Sequence, residues 1–262
     1  MNSFIKHYNN EGYYIKKKLI DKNYCSKIKS FLDKKPSKIN IPFSSIPWGY
    51  GNLLNEKTFS KILKNKFLVN FCETIFKEKF FFNHLTVNNK AALIGSSVEW
   101  HQEIFNINTY SPGQTYKDYK KFMQIFIAID DQDEKNGCLK IIPQSHKLNK
   151  VEHQDIIGDN LGHKRRVEPN VLQQIVKKKG IRNFPLKAGD ALFFNHLLIH
   201  GSPSNYSPHS RKSIVLQARV NSLIKKNNIF TKETKFRTNF VIKHFQEKIN
   251  SLSKKNIYKD FK

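Results

Sequence analysis

The chain predicts a mainly β fold, a sandwich or barrel of short strands with helices packed around it, and three observations carry that reading. Over residues 85–220 the apolar residues come in short runs rich in β-branched and aromatic side chains. Those runs are separated by turn sequences, Lys135-Asn136-Gly137, Pro143-Gln144-Ser145, Ala188-Gly189-Asp190 and Gly201-Ser202-Pro203, whose residue types favour chain reversal. Outside that region, apolar residues recur near the helical period instead. Many short strands with tight turns must bury one sheet against another or close on themselves.

Taken in order, residues 1–84 form an N-terminal part of helices and loops. Asp21 caps a helix that runs to about Asp33, with Ile20, Tyr24, Ile28, Phe31 and Leu32 on one face. A second helical stretch covers 59–79. Between them, residues 36–55 carry Pro36, Pro42, Pro47, Gly49 and Gly51, so this segment is an ordered loop. Its Trp48 and Tyr50 either plug the core or face a substrate. Strands are expected at 122–129, 138–142, 181–186, 191–194 and 213–220. The core is interrupted by an insertion at about 147–180, with a helix near 169–179. Residues 221–262 carry eleven Lys or Arg against three acids, with Phe240, Ile242, Phe245, Ile249 and Leu252 at helical spacing. This tail reads as an amphipathic helix on the barrel, with a partner-binding or nucleic-acid-binding tail as the alternative. The three parts make one domain, 1–262, without internal repeats.

Composition narrows the setting. With 39% hydrophobic residues in 262, the chain can bury a full core. No apolar run reaches the roughly 18 to 20 residues a membrane crossing needs, and the first ten residues lack a signal-peptide core, so a membrane partner is not expected. Cys25, Cys72 and Cys138 are scattered and odd in number, which fits a reducing cytoplasm better than a disulfide framework. The formal net charge of +25 alone would suggest a nucleic-acid partner. Lysine is spread over nearly every polar segment, however, and no nucleic-acid recognition motif accompanies it.

The chemistry is concentrated in two places. His101-Gln102-Glu103 stands in an expected strand, where positions i and i+2 share a face, so an imidazole and a carboxylate can meet one ion. His200 closes the apolar run after Ala188-Gly189-Asp190, where a core role would waste a ring nitrogen. Two His and one carboxylate on one face of an octahedron leave three positions open, the arrangement of Fe(II) sites that take a chelating co-substrate and O2. Eleven residues on, Arg211 begins another strand, and the intervening loop can return it beside His200. There it would grip the distal carboxylate of 2-oxoglutarate in a two-pronged bond, with Ser202 adding a hydroxyl.

Together these stretches resemble the phytanoyl-CoA dioxygenase family of Fe(II)/2-oxoglutarate oxygenases. The matching segments are Tyr8 to Tyr13, Trp100-His101-Gln102-Glu103, Ile127 to Asp131, Asn136 to Lys147, the Ala-Gly-Asp strand, His200-Gly201-Ser202 and Arg211. The resemblance implies a double-stranded β-helix, a jelly-roll core of cupin type. It also implies iron on His101, Glu103 and His200, with 2-oxoglutarate on Arg211 and Ser202 and with Gln102 and Phe126 as further contacts. The implied activity is O2-dependent hydroxylation, or another oxidation, of a C–H bond in a small metabolite, releasing succinate and CO2. The alternatives are a non-catalytic or degenerate jelly-roll binding protein and a basic nucleic-acid-binding protein. Two departures stand out: Glu103 replaces the family's usual aspartate, and Pro143-Gln144-Ser145-His146 replaces Pro-Gly-Ser-His. With the carboxylate kept, no metal position is vacated for halide. The insertion and the 36–55 loop are implied to cover the substrate. Lys147, Lys150, Lys164, Arg165, Arg166 and Lys177 to Lys179 then point to an anionic substrate, or else are solvated outer-face residues. The remaining histidines, His146 and His196 among them, are expected to be surface or hydrogen-bonded residues.

Overall fold

Alternation along the central strands builds two sheet faces that are both buried. A computed structural model of the chain describes residues 3–34, 53–103, 121–155 and 165–220. In order, the elements are α1 (Ser3–Glu11), β1 (Tyr13–Lys16), α2 (Lys22–Lys34), a 3-10 turn (Lys57–Phe59), α3 (Ser60–Leu63), α4 (Lys66–Phe76), β2 (Phe80–Lys90), β3 (Val98–His101), β4 (Phe122–Ala128) and β5 (Leu139–Ile141). They continue as β6 (His153–Asp155), β7 (Arg165–Val167), α5 (Pro169–Lys179), β8 (Arg182–Phe184), β9 (Ala191–Asn195), β10 (His200–Ser202) and β11 (Arg211–Val220). These strands form an antiparallel five-stranded sheet, β1-β9-β4-β11-β2, a four-stranded sheet, β3-β10-β5-β8, and a separate β6-β7 pair. Among the described residues no helix is long and apolar enough to cross a membrane.

The two larger sheets face each other. Phe126, Leu192 and Phe194 of the first share one apolar cluster with Leu139, Ile141 and Phe184 of the second, and the Tyr13 and Phe184 rings meet edge to face at 4.9 Å. This is the expected jelly-roll core. On the outer face of the large sheet, Met123, Ile125, Ile127, Phe193, Ile214 and Leu216 pack against Ile28, Leu32, Ile62, Leu68 and Phe71 of the helices. All seven residues of β4 are therefore buried, which explains why its sequence is almost continuously apolar.

Local expectations fare unevenly. Asp21 caps α2 as anticipated, its Oδ1 accepting the Tyr24 N–H at 2.7 Å, and the insertion helix falls at Pro169–Lys179. The 59–79 stretch is not one helix. Asn65 stops it, because its Oδ1 accepts the Leu68 N–H and starts α4 afresh while its Nδ2 donates to the Leu19 carbonyl. Lys77, at φ +56°, then ends α4 in the left-handed region. The β region begins at Phe80 rather than residue 85, since Phe80, Phe81 and Phe82 pair with Val220, Arg219 and Ala218 of β11. Asn83 is the extra residue of the bulge between Phe82 and His84. The expected tail helix and nearly all of the 36–55 loop lie outside the described residues.

Candidate metal centre

The pairing of two strands brings the three candidate ligands together. His101 is the last residue of β3 and His200 the first of β10, and the two are Cα partners in the small sheet. Glu103 lies just past the strand end, in a turn, with its backbone N–H bonded to the His196 carbonyl at 2.9 Å. Strand alternation therefore carries His101 only, and the main-chain bond holds Glu103. The Glu103 Oε1 lies 3.7 Å from His101 Nε2 and 3.4 Å from His200 Nε2. One donor atom from each of the three residues fits within 4.8 Å of the others, and all three side chains are buried.

The second nitrogens of both rings are spoken for. His101 Nδ1 faces the Glu99 carbonyl at 2.6 Å, and His200 Nδ1 faces the Leu198 carbonyl at 2.9 Å. A carbonyl only accepts, so each Nδ1 carries the proton and each Nε2 turns its lone pair to the common centre. Burial, and then the neighbouring His101, lower the His200 pKa against the pull of Glu103, which favours a neutral ring. Burial would raise the Glu103 pKa, but a second proton on either ring, at Nε2, would bond to the carboxylate and hold it well below its ordinary value, and a metal cation would take that place when the rings are neutral. An ionised carboxylate with neutral imidazoles is the donor set a divalent transition metal takes. Among the described residues this is the one such cluster.

The other expected residues divide. Arg211, buried, opens β11, and its guanidinium carbon stands 5.7 Å from the centre of the buried Phe126 ring. Ser202 ends β10 and is also buried. Arg211 is not a strand neighbour of His200, as the loop between them suggested: β10 and β11 belong to different sheets, and Arg211 stands on the sheet opposite His200, against Phe126 and Gln132. Its Nη1 donates to Gln132 at 3.1 Å, while its Nε has no hydrogen-bond partner among the described residues. Gln102 does something else. Both amide hydrogens of its side chain are used, on the Asn149 and Leu197 carbonyls at 2.7 Å each, and its oxygen accepts the Val151 N–H. That fastens the start of the insertion behind the metal site.

Sequence reasoning passed over Lys90. It is the Cα partner of Arg211 across β2 and β11 and is buried, and its Nζ donates to Ser202 Oγ at 2.7 Å and to the Pro203 carbonyl. Alternation counted from Phe80 would have put Lys90 on the helix-covered face with Phe80 and Phe82; the bulge at Asn83 switches the parity, so that beyond it Leu85 and Val87 face the helices and Thr86, Asn88 and Lys90 face inward. His196 is fully buried, its ring tilted 31° to that of Phe122 at 5.0 Å and its Nε2 3.4 Å from Gln217. The Pro143-Gln144 turn keeps a left-handed residue, Gln144 at φ +62°, where glycine is the easier occupant. The Gln144 N–H and side-chain amide both bind Glu11, and His146 is hydrogen-bonded, as expected, to the Asn9 carbonyl of α1.

In the insertion, Arg165 bonds to Asp155, and Arg166 lies 3.9 Å from Glu99. Lys164 lies outside the described residues.

Comparison with known proteins follows the same lines. The family model described as "Phytanoyl-CoA dioxygenase (PhyH)" matches residues 8–213. Ectoine dioxygenase of Bordetella bronchiseptica is 23% identical over 168 residues, 60% of this chain and 51% of that protein. L-proline trans-4-hydroxylase of Streptomyces griseoviridis is 25% identical over 166 residues, 60% of each. The chain thus spans about half the length of the first curated relatives it matches. Among solved structures, EctD from S. alaskensis with 2-oxoglutarate and 5-hydroxyectoine superposes with a TM-score of 0.66 at 14% identity, covering 86% of this chain and 81% of that one. That likeness establishes the shared fold.

Proposed function

This chain belongs to the phytanoyl-CoA dioxygenase family, and we propose that it is an Fe(II)- and 2-oxoglutarate-dependent oxygenase that hydroxylates a C–H bond of a small molecule. The observation that carries the reading is the buried His101, Glu103 and His200 cluster, with both Nδ1 atoms tied to carbonyls so that the Nε2 atoms converge. Bound there, Fe(II) would supply the O2-dependent decarboxylation of 2-oxoglutarate to succinate and CO2 that drives hydroxylation.

The protein's own part is positioning. Glu103 and the two imidazoles would hold the metal. Arg211, Ser202 and Phe126 receive the co-substrate's distal end across the sandwich, where the guanidinium Nε is available to a carboxylate. Gln102 keeps the insertion seated and needs no contact with co-substrate. Burial of the whole cluster excludes water from the reacting atoms. The three buried thiols suit a reducing cytoplasm.

The substrate is a small molecule such as the names of the matched relatives indicate for those proteins, ectoine and L-proline. An anionic one would find the insertion's Arg165 and Arg166 already facing acids, and the chain's net charge of +25 would draw it inward at low ionic strength. The test is Fe(II)-dependent formation of succinate from 2-oxoglutarate, with a metabolite panel added. A parent protein that binds Fe(II) yet makes no succinate with any addition would favour the degenerate binding protein instead.

A further inference from the structure

We propose that Gln132 is a positioning residue for Arg211: it holds the guanidinium with an uncharged acceptor, so that the full charge is left for the distal carboxylate of the co-substrate. The inference rests on the 2-oxoglutarate reading above and adds to it a residue and the reason why that residue is neutral.

Gln132 lies between β4 and β5, inside the run Asp130-Asp131-Gln132-Asp133-Glu134. The four acids around it are engaged elsewhere or face solvent. Asp130 takes the Lys29 ammonium and the Lys212 N–H, Asp131 takes Lys187 and the Ala188 N–H, and Asp133 takes the Asn136 N–H. Glu134 is exposed. Of the five, only Gln132 is buried, at 3% exposure. Its main chain is fastened twice to Leu186, the N–H to the Leu186 carbonyl at 2.7 Å and the carbonyl to the Leu186 N–H at 3.2 Å. From that fixed backbone its Oε1 accepts the Arg211 Nη1 at 3.1 Å.

A carboxylate is the usual partner of a buried arginine. Here acids occupy both flanking positions, and the one position that faces Arg211 carries an amide. Arg211 forms no ion pair among the described residues, and its Nε has no hydrogen-bond partner among them. Burial lowers Arg211 to about 10, which leaves it charged at neutral pH and without a counter-ion in contact. A guanidinium only donates, so Gln132 must turn its oxygen to Arg211, and its amide nitrogen is left buried without a partner among the described residues. That orphaned donor costs stability that an apolar side chain would not, so packing does not account for glutamine here. What the amide achieves is a fixed Nη1, which aims the Nε edge of the guanidinium while neutralising nothing. A glutamate at the same place would hold Arg211 as well and would occupy its charge before a ligand arrived.

The experiment is anaerobic titration calorimetry of the Fe(II)-loaded protein with 2-oxoglutarate and with 2-oxovalerate, the five-carbon acid lacking the distal carboxylate. Two variants are compared with the parent: Gln132→Met, which removes the acceptor, and Gln132→Glu, which keeps the acceptor and adds a charge. Gln132→Met should bind 2-oxoglutarate roughly 5- to 20-fold more weakly, and Gln132→Glu roughly 10- to 100-fold more weakly. Metal content and 2-oxovalerate affinity should stay as in the parent. A purely structural tie would be preserved by glutamate, so Gln132→Glu binding 2-oxoglutarate like the parent overturns the inference. So does Gln132→Met with parent affinity, or a loss of both acids in equal proportion. Should one variant not fold, the other decides alone; if neither folds, Gln132 is structural and the proposal falls. A parent that holds Fe(II) but does not bind 2-oxoglutarate brings down the functional reading as well, whereas a parent that binds it beside unaffected variants removes this inference only.

Discussion

On β4 and β11, alternate residues of the same strands are buried in two unlike ways. The outward set, Met123, Ile125, Ile127, Ile214 and Leu216, is wholly apolar and packs on the helices. The inward set includes Gln124, Ser213, Gln217, Arg219 and Arg211, equally buried but polar. Several of these groups, the Gln124 oxygen, the Ser213 hydroxyl and Arg211 Nε, have no hydrogen-bond partner among the described residues. Leaving buried polar atoms unpaired costs stability. The outer face therefore serves packing on the helices alone, whereas the inner face combines the apolar contact between the two sheets with buried polar groups. The two differ in what a mutation should change: stability on one side, ligand affinity on the other.

The sharpest break of that comparison is at the metal centre. His200→Ala should leave a folded protein whose Fe(II) content after dialysis drops to background and whose succinate formation disappears. Metal analysis beside circular dichroism decides it; a folded variant with full metal and turnover would falsify the site. On the helix side, Phe71 is fully buried with its ring 4.5 Å from that of Phe193. Phe71→Ala should lose about 3–5 kcal/mol in denaturant unfolding, while the surviving folded fraction keeps its 2-oxoglutarate affinity. A selective loss of affinity there would mean that the two faces are not separable.

Arg211→Ala tests the inward set. The apparent Michaelis constant for 2-oxoglutarate should rise roughly 10- to 100-fold, with Fe(II) affinity changed far less. Equal losses in both would place Arg211 in the architecture rather than the binding surface.

Asp190 stands at the entry to β9 and belongs to neither set. Its carboxylate takes the Lys17 ammonium at 2.9 Å and the Lys18 and Lys187 N–H groups. Burial opposes its ionisation, but these three bonds outweigh that and keep its pKa below the ordinary value. A depressed carboxylate contributes stability above its unfolded pKa and loses it as pH falls through the folded one. Asp190→Asn should accordingly cost about 1–2 kcal/mol at pH 7, and the gap to the parent should close in acid below about pH 4. Melting curves across that range would expose a gap that persists.

Ser213→Ala should have the smallest effect, within about 1 kcal/mol and in either direction, because it removes a buried hydroxyl that lacks a partner among the described residues. A loss of several kcal/mol would show that the inward face is structural after all.

Residue pattern alone determined the strands at 122–129, 138–142, 191–194 and 213–220, the Asp21 cap, the insertion helix and the choice of His101, Glu103 and His200 as candidate ligands. Each of these depends on alternation, on a capping side chain within three residues, or on a short motif, all properties of local chain. Other features were decided by the tertiary structure. Asn65 breaks the second helix by reaching back to Leu19, and β2 extends to Phe80 because β11 is there to pair with it. Glu103 is fixed by the His196 carbonyl, ninety-odd residues away. Alternation says which residues share a face, but not which strands are neighbours or which sheet lies opposite. It could not place Arg211 across the sandwich from His200, or bring Lys90 into register with it. Those placements come from pairing between distant segments, whose register is set by the joint burial of both sheets.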